Sequence, residues 1–296
     1  MRFRPTGQFM IYYHDELLLD NLILSIDNVV LDFSITNPER RDLLEFNINT
    51  MSNSKDISVR SWDGYGAGSF RKQYSFQVYA DRSFWLGHGL IGSGVLEDRY
   101  RLDFNPNKLA DDPNLRSIRE FLARNSRSVL CRVTRFDLAI DIPVERTNCF
   151  LVKDRRMYIE RRHGKEYTQY LGSKSSKVGR VKLYNKTAEA DLDYPLTRLE
   201  LTLDPAKSFE KISFPLVYYL NTGAIAESDI KVSDTDRFIL NALLQGYGTL
   251  NDLGRKTRAK MQSLLDSCVR KVEITPASYD EVLQKVHQYV RITENV

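Results

Sequence analysis

The chain has 296 residues, of which 42% are hydrophobic and 11% aromatic, so it can bury a substantial core and is not predominantly disordered. Lys and Arg number 43 against 39 Asp and Glu, and the resulting net charge of +4 allows a nucleic-acid partner without requiring one. No stretch is long and apolar enough to cross a bilayer, and the 3 widely spaced cysteines are not typical of a disulfide framework, so we expect a cytoplasmic protein with free thiols and no membrane partner.

The N-terminal third is predicted to be mostly sheet. Residues 73–78 alternate polar and apolar side chains with a period of two, which is typical of a strand buried on one side. Gly64, Gly66 and Gly68 precede this strand, but no Lys-Ser or Lys-Thr follows them, so we interpret them as a turn and not as a phosphate-binding loop. Asp112 and Pro113 then predict the cap and first turn of a helix.

Three later segments are predicted to be strands with one apolar and one charged face. The first covers residues 128–141, and the other two lie around residues 180–184 and 198–203. If these strands are neighbours that face the same way, they build one ionic surface. Their charged faces carry Arg135, Asp137 and Asp141; Arg180, Lys182 and Tyr184; and Arg198, Glu200 and Thr202.

After about residue 215 the pattern becomes helical. Ser233 predicts a helix cap, Gly246 a helix end, and residues 275–276 the start of a last helix. Residues 255–271 predict a helix with a basic side and an apolar side. We therefore predict an α+β fold: a largely antiparallel sheet domain with flanking helices over residues 1–215, then a smaller helical region over 216–296, with no internal repeat.

The carboxylates of these strands are candidate ligands for a divalent cation. Asp137, Asp141 and Glu200 on a rigid sheet can hold Mg²⁺ or Mn²⁺ through oxygen. The 4 histidines do not form the closely spaced pair that many nucleases use for a metal, so a nuclease of this sequence would depend on carboxylates. The alternative is a solvent-facing sheet with cross-strand ion pairs, and the pattern taken alone favours that alternative.

Tyr184 also has two interpretations. A tyrosine in a strand is usually a packing residue with its hydroxyl at the surface. It is also a candidate nucleophile here, because the neighbouring cations Arg180, Lys182 and Lys186 favour the phenolate and can hold a phosphate.

Three blocks of sequence resemble, in the same order, the trans-acting replication initiators of rolling-circle plasmids, the Rep_trans family that includes the initiators of small staphylococcal plasmids. The blocks are TRFDLAID (134–141), YLGSKSSKVGRVKLYNKTAE (170–189) and RLELTL (198–203), and LDFNPNKL (102–109) is similar as well. The resemblance extends with gaps from about residue 100 to about residue 270.

The resemblance implies a site-specific DNA nickase. The tyrosine of the family's Arg-x-Tyr-x-Lys motif falls on Tyr184, with Arg180 beside it and Lys182 where the family often has arginine; lysine keeps the charge but loses bidentate phosphate contact. Asp137 falls on a position associated with the metal, Mg²⁺ or Mn²⁺. Glu200, Asp141 and Asp103 are weaker candidate ligands.

The resemblance also implies partners and a mechanism. Such proteins act as homodimers at a plasmid origin, attack one phosphodiester through the tyrosine, leave a 5′-phosphotyrosyl link and a free 3′-hydroxyl, and work with the host helicase and polymerase. Residues 1–215 would nick and residues 216–296 would recognise the origin. The candidate DNA contacts are Arg135, Lys186, Lys256, Arg258 and Lys260.

Two other functions remain open. A relaxase that starts conjugative transfer would use the same nick and the same tyrosine. A DNA-binding regulator would keep Tyr184 as a structural residue and would not nick DNA.

Overall fold

The computed structural model describes residues 17–19, 22–79, 82–109, 111–127, 130–164, 166–173, 179–228 and 230–290. The predicted strand start at residue 128 and residues 174–178 of the second sequence block lie outside these ranges. No helix within the described ranges has the length and apolar character needed to span a membrane.

Strands and helices have similar shares of the described chain, and the strands form two antiparallel sheets, which confirms the predicted α+β fold with a largely antiparallel sheet. The strands are β1 (Leu17–Leu19), β2 (Leu22–Ser34), β3 (Ser58–Asp63), β4 (Phe70–Tyr79), β5 (Arg82–Ile91), β6 (Val95–Phe104), β7 (Arg132–Ile142), β8 (Cys149–Leu151), β9 (Tyr158–His163), β10 (Glu166–Leu171), β11 (Arg180–Asn185), β12 (Thr197–Leu203), β13 (Val217–Leu220) and β14 (Val269–Lys271).

Three helices begin at caps that the sequence predicts. The side chain of Asp112 accepts a hydrogen bond from the Leu115 amide, and Ser233 and Thr275 form capping boxes. The helices are α1 (Pro38–Met51), α2 (Pro106–Leu109), α3 (Pro113–Asn125), α4 (Lys186–Ala190), α5 (Thr222–Glu227), α6 (Asp234–Leu244), α7 (Arg255–Ser267) and α8 (Pro276–Gln288). Helix α1 was not predicted, because its buried residues, Leu44 and Ile48, are too few to give a clear helical period.

The large sheet repeats one topology in its two halves. Its strand order is β3-β4-β5-β6-β2-β7-β12-β11-β10-β9, and β1 pairs with β2 at the side. In the first half, β6 pairs with β2, and β5, β4 and β3 follow outward. In the second half, β12 pairs with β7, and β11, β10 and β9 follow outward. The first strands, β2 and β7, pair at the centre. The sequence shows no internal repeat, and the repetition is apparent only in the topology of the sheet.

The core lies on one face of this sheet. Apolar side chains of both halves join Leu44 of α1, Leu122 of α3 and Tyr279 of α8 in a single buried cluster. Because side chains alternate across a strand, the residues between these apolar side chains face the opposite side of the sheet, among them Asp32, Arg101, Asp137, Lys182, Arg198 and Glu200. We call that side the open face.

The C-terminal part differs from the predicted helical pattern. Strands β13, β14 and β8 form a small sheet, and the predicted helix over 255–271 ends at Ser267 because residues 269–271 pair with β13 through their backbone. Leu240, Met261 and Leu264 form a second apolar cluster with Leu220. Helix α8 packs instead in the large cluster, and the proposed boundary between residues 215 and 216 stays a prediction.

Two arginine–aspartate pairs occupy corresponding places in the two halves. In the second half, Arg198 of β12 lies directly opposite Asp141 of β7 and donates to both of its carboxylate oxygens, at 2.6 and 2.7 Å. In the first half, Arg101 of β6 lies opposite Asp32 of β2 and does the same at 2.6 and 2.8 Å. The side chains of Arg198 and Asp141 are each 1% exposed, whereas Arg101 is 36% exposed.

The two pairs should respond differently to the loss of the arginine. Arg198→Met leaves the buried Asp141 charge without its main partner, so we expect the free energy of unfolding to fall by about 3–5 kcal/mol. The matched change Arg101→Met removes a partly exposed pair and should cost about 1 kcal/mol or less. Urea denaturation of both variants measures this, and equal losses would contradict the assigned role of burial.

Candidate functional site

The three charged strands of the sequence analysis are neighbours in the sheet. Strands β7, β12 and β11 pair side by side, with Asp137 opposite Thr202, Lys182 opposite Glu200 and Tyr184 opposite Arg198. The sequence could not establish this adjacency. Their charged sides therefore form one continuous part of the open face.

Tyr184 is held by two side chains of this face. Its hydroxyl donates a hydrogen bond of 2.6 Å to Glu200 Oε1, and the Lys182 ammonium lies 3.7 Å from the centre of its ring. Lys182 also donates to Glu200 Oε2 at 3.2 Å. Tyr184 is 5% exposed, so in this arrangement its ring is covered.

The environment of Tyr184 favours the neutral phenol. Burial raises the pKa of Tyr184 well above its ordinary value, and the negative charge of Glu200 adds to the increase. The prediction that neighbouring cations favour the phenolate is wrong. Lys182 pairs with Glu200, Lys186 pairs with Glu189, and Arg180 lies over the ring of Tyr170 at 4.6 Å.

This geometry suits general-base activation of a hydroxyl. A carboxylate within 2.6 Å of a neutral phenol can accept its proton as the oxygen attacks an electrophile, so a free phenolate is not required. Sequence analysis placed Glu200 among the metal ligands and did not identify it as the partner of Tyr184. The cross-strand register, which the sequence does not contain, creates that contact.

Arg198, which lies opposite Tyr184 on the neighbouring strand, links three strands of the sheet through its ion pairs. Besides its bidentate pair with Asp141, it donates to Asp27 at 2.9 Å, and Asp27 lies at the bulge that interrupts β2 between Ile26 and Asn28. The predicted metal role of Asp141 stays untested, but both its oxygens already accept from Arg198. Sequence analysis missed Arg198 and Asp27, since an arginine on a charged strand face has no distinctive pattern.

Asp137 is the carboxylate best suited to bind a cation. Its Oδ1 atom is buried without a hydrogen-bond partner among the described residues. Burial raises the pKa of Asp137 to about 6, and the charges of Glu200 and Asp27 add to the increase. A bound cation would satisfy this oxygen and offset the cost of its charge.

The full set of predicted metal ligands does not assemble. Within the described ranges no group of three or more His, Cys, Asp and Glu side chains is placed to hold a metal ion. Asp103 lies two strands away from Asp137, where it accepts hydrogen bonds from Asn28 at 2.8 Å and from Arg135 at 3.3 Å. A cation at Asp137 would therefore complete its shell with water and substrate phosphate, which is the usual arrangement for Mg²⁺.

The remaining predicted DNA contacts lie in two places. Lys186 begins α4 at the end of β11, is 8% exposed and pairs with Glu189. The other basic candidates are on α7, outside the large sheet. There Lys260 donates to Asp236 at 2.7 Å, Arg258 donates to the carbonyls of residues 251 and 253, and Lys256 is exposed.

Comparison with known proteins finds distant structural likeness but no family match. No family model matches the chain, and no curated protein matches it. A solved structure described as the rolling circle replication initiator protein from Geobacillus stearothermophilus aligns over 90% of this chain and 96% of its own, with 11% sequence identity and a TM-score of 0.38. A likeness at this level does not carry a function over to this chain, and the family resemblance continues to rest on the sequence blocks.

Replacing Asp137 should make the protein more stable. Its raised pKa means that the ionised carboxylate opposes folding above about pH 6, whereas below about pH 4 the carboxyl is protonated in both states and the penalty is absent. Asp137→Asn should therefore raise the free energy of unfolding at pH 7 by about 1–3 kcal/mol and change it little at pH 4. Urea denaturation at both pH values measures this.

The same variant tests cation binding without an activity assay. Mn²⁺ should raise the melting temperature of the parent chain but not that of Asp137→Asn. The control is Asp42→Asn, an exposed carboxylate on α1. Equal stabilisation of parent and Asp137→Asn proteins by Mn²⁺ would place the cation elsewhere.

Proposed function

We propose that this protein is a replication initiator of rolling-circle type, which nicks one strand of a plasmid origin with Tyr184 as the nucleophile and Glu200 as the general base. The observation that carries the proposal is the 2.6 Å hydrogen bond from the Tyr184 hydroxyl to Glu200 on the open face of the sheet. The family resemblance of the blocks around Tyr184, Asp137 and Glu200 supports it.

In the proposed reaction the Tyr184 oxygen attacks the phosphorus of one phosphodiester while its proton passes to Glu200. The bond from phosphorus to the 3′ oxygen breaks, the 3′ oxygen leaves with the electron pair and takes up a proton from solvent, and a 5′-phosphotyrosyl link forms. The free 3′-hydroxyl can then prime synthesis by the host polymerase. Reversal of the same steps on the displaced strand closes a circle.

Lys182 and Arg180 are proposed to bind the phosphate. Lys182 covers the Tyr184 ring and pairs with Glu200, so a phosphate entering above Tyr184 would compete with Glu200 for the ammonium. Moving Lys182 to the phosphate uncovers the phenol and leaves Glu200 to accept its proton. A lysine suits this role because it is a point charge on a flexible stem.

A divalent cation, Mg²⁺ or Mn²⁺, is proposed at Asp137. When bound, such an ion polarises a phosphoryl oxygen and offsets the charge of the transition state. Asp137 would hold it through Oδ1, the oxygen that has no hydrogen-bond partner in the described part of the chain, with Glu200 on the neighbouring strand and Arg135 at the edge of the site. Asp141 and Asp103 stay weaker candidates because arginines already pair with them.

Recognition of the origin is proposed for the C-terminal part, in a homodimer that works with host helicase. Helix α7 buries Met261 and Leu264 and exposes Lys256, so it can pack against its own cluster while presenting a basic side to DNA. Arg258 and Lys260 would have to exchange their present partners for phosphates.

A second candidate is a DNA-binding regulator without nicking activity. The burial of Tyr184, at 5% exposure under Lys182, favours it, because a structural tyrosine is expected to be covered. The two functions differ in one measurable property, the conversion of supercoiled plasmid to open circles.

Removing the nucleophile and the base should affect nicking differently. With supercoiled origin plasmid and Mg²⁺, Tyr184→Phe should abolish both open circles and the covalent protein–DNA adduct, while Glu200→Gln should slow nicking by about 10²–10⁴-fold. The control is Tyr170→Phe, which removes another hydroxyl from the neighbouring strand β10 and should nick normally. An adduct formed by Tyr184→Phe would contradict the assignment, and full activity of Glu200→Gln would remove its role as base.

Exchanging residues 250–275 with those of a relative that serves another plasmid should transfer origin preference. Binding and nicking are measured on both origins, and the Tyr184 chemistry should be unchanged. Lys256→Ala should weaken binding to every sequence equally and reduce the salt dependence, with a slope change of about 1, because a phosphate contact carries no sequence information. If the exchanged protein keeps the origin preference of the parent chain, origin recognition does not reside in residues 250–275.

A further inference from the structure

The repeated topology allows the two halves of the large sheet to be compared position by position. Arg101 and Asp32 correspond to Arg198 and Asp141, since each pair joins the last and first strands of its half in the same register. Asp103, two residues after Arg101, then corresponds to Glu200, two residues after Arg198. Both halves thus contain an arginine–aspartate pair and a carboxylate two residues after the arginine.

The nucleophile's position is different in the first half. Tyr184 lies opposite Arg198, and the residue opposite Arg101 is Gly87. Lys182 lies opposite Glu200, and the residue opposite Asp103 is Trp85. The first half therefore has a glycine in place of the tyrosine and a tryptophan in place of the lysine.

Trp85 occupies the space that the glycine leaves. A Cβ atom at Gly87 would overlap the Trp85 indole and the Phe70 ring, so only glycine allows the indole to lie along the surface of the sheet. The rings of Phe70 and Trp85 meet edge to face at 5.5 Å, and the Arg101 guanidinium lies 5.5 Å from the centre of the Phe70 ring. The indole is fixed in place and partly exposed.

Trp62 lies on the same face, on the edge strand β3. It pairs with Gln73, which pairs with Gly87, so it stands two strands from the glycine, or about 10 Å. Trp62 is 44% exposed. Arg60, two residues earlier on the same face, is exposed as well. We call Arg60, Trp62, Trp85 and Arg101 the tryptophan face.

We propose that the tryptophan face binds single-stranded DNA by base stacking, as a second DNA site in the half of the sheet without the tyrosine. The inference rests on the proposed function, because it takes DNA as the ligand. Rigid, partly exposed indoles interleaved with arginines are the arrangement that binds single strands without sequence preference. The exposed Arg60 can supply a phosphate contact, and the indoles supply surfaces on which bases stack. Arg101 is paired with Asp32 and lies beside the Phe70 ring, so it supports the aromatic cluster.

The position of the face fits a strand that also reaches Tyr184. One row of paired residues on the open face runs from Arg60 through Trp85 and Asp103 to Arg135. Five strand spacings separate β5 from β11, or about 24 Å across the sheet, so a stacked strand of about seven nucleotides would span the distance between these two strands. A duplex presents no free base faces to the indoles, so we assign the face to the single strand.

The two tryptophans of the face are the 2 tryptophans of the chain, and their fluorescence therefore reports directly on the site. The full chain carrying Tyr184→Phe is titrated with an oligothymidylate of about 12 nucleotides, within the usual site size. We expect fluorescence quenching on binding. Trp62→Ala and Trp85→Ala should each weaken the affinity about tenfold, measured with a labelled oligonucleotide.

The control is Phe46→Ala, which removes an exposed aromatic ring (67% exposed) from α1, a helix on the other side of the sheet, and should bind normally. Trp62 is exposed on an edge strand, so its alanine variant tests the proposal even if Trp85→Ala fails to fold. Absence of quenching, unchanged affinity of Trp62→Ala, or equal quenching by a blunt duplex would each overturn the inference.

The same experiments separate this inference from the proposed function. If the parent chain nicks an origin but the tryptophan variants bind oligothymidylate as the parent does, this inference alone fails. If single strands quench the fluorescence and the variants lose affinity, but no plasmid is nicked, the tryptophan face stands and the nicking function fails.

Discussion

The Arg198 guanidinium, buried in the sheet between Asp141 and Asp27, is the interaction on which the geometry of the site depends. The side chains of Arg198, Asp141 and Asp27 come from three adjacent strands, β12, β7 and β2. A slip of one residue between two strands would move every side chain of one strand to the other face of the sheet. The Arg198–Asp141 pair would then be broken, so this buried pair holds β12 and β7 in register. Glu200 of β12 is thereby fixed relative to β7, and Tyr184 reaches it from the next strand, β11. A buried ion pair contributes little to stability by itself, but breaking it is costly, which suits a role in fixing position.

On the same face of the sheet, the two lysines nearest Tyr184 are balanced by carboxylates, and Arg180 lies over the ring of Tyr170. Lys182 pairs with Glu200 and Lys186 with Glu189, so the positive charge that the sequence places around Tyr184 does not ionise it. Burial raises the pKa of the phenol, and the pKa of the nearby Asp137 carboxyl is raised to about 6 for the same reason. This arrangement keeps the Tyr184 phenol protonated. The unsatisfied oxygen of Asp137 is a local cost in stability, as is often found where residues are arranged for function.

The two halves of the sheet show how one scaffold can carry different surfaces. Both keep an arginine–aspartate pair between their first and last strands, and both place a carboxylate two residues further on. One half adds a tyrosine and a lysine, and the other adds a glycine and a tryptophan. The backbone supplies the same positions in each half, and the different side chains give the two surfaces different chemical properties.

The sequence by itself determined the features that depend on near neighbours along the chain. Period-two alternation separated the apolar and charged faces of β7, β11 and β12, and polar residues before Pro113 and Pro276 marked helix starts, because both depend on residues a few positions apart. Only the tertiary structure decided which strands are neighbours, that Arg198 contacts residues 57 and 171 positions away, that β14 interrupts the predicted C-terminal helix, and that the two halves share a topology. Burial and cross-strand register set these contacts and the protonation of Tyr184, and both arise from packing between segments far apart in the chain, which no local pattern encodes.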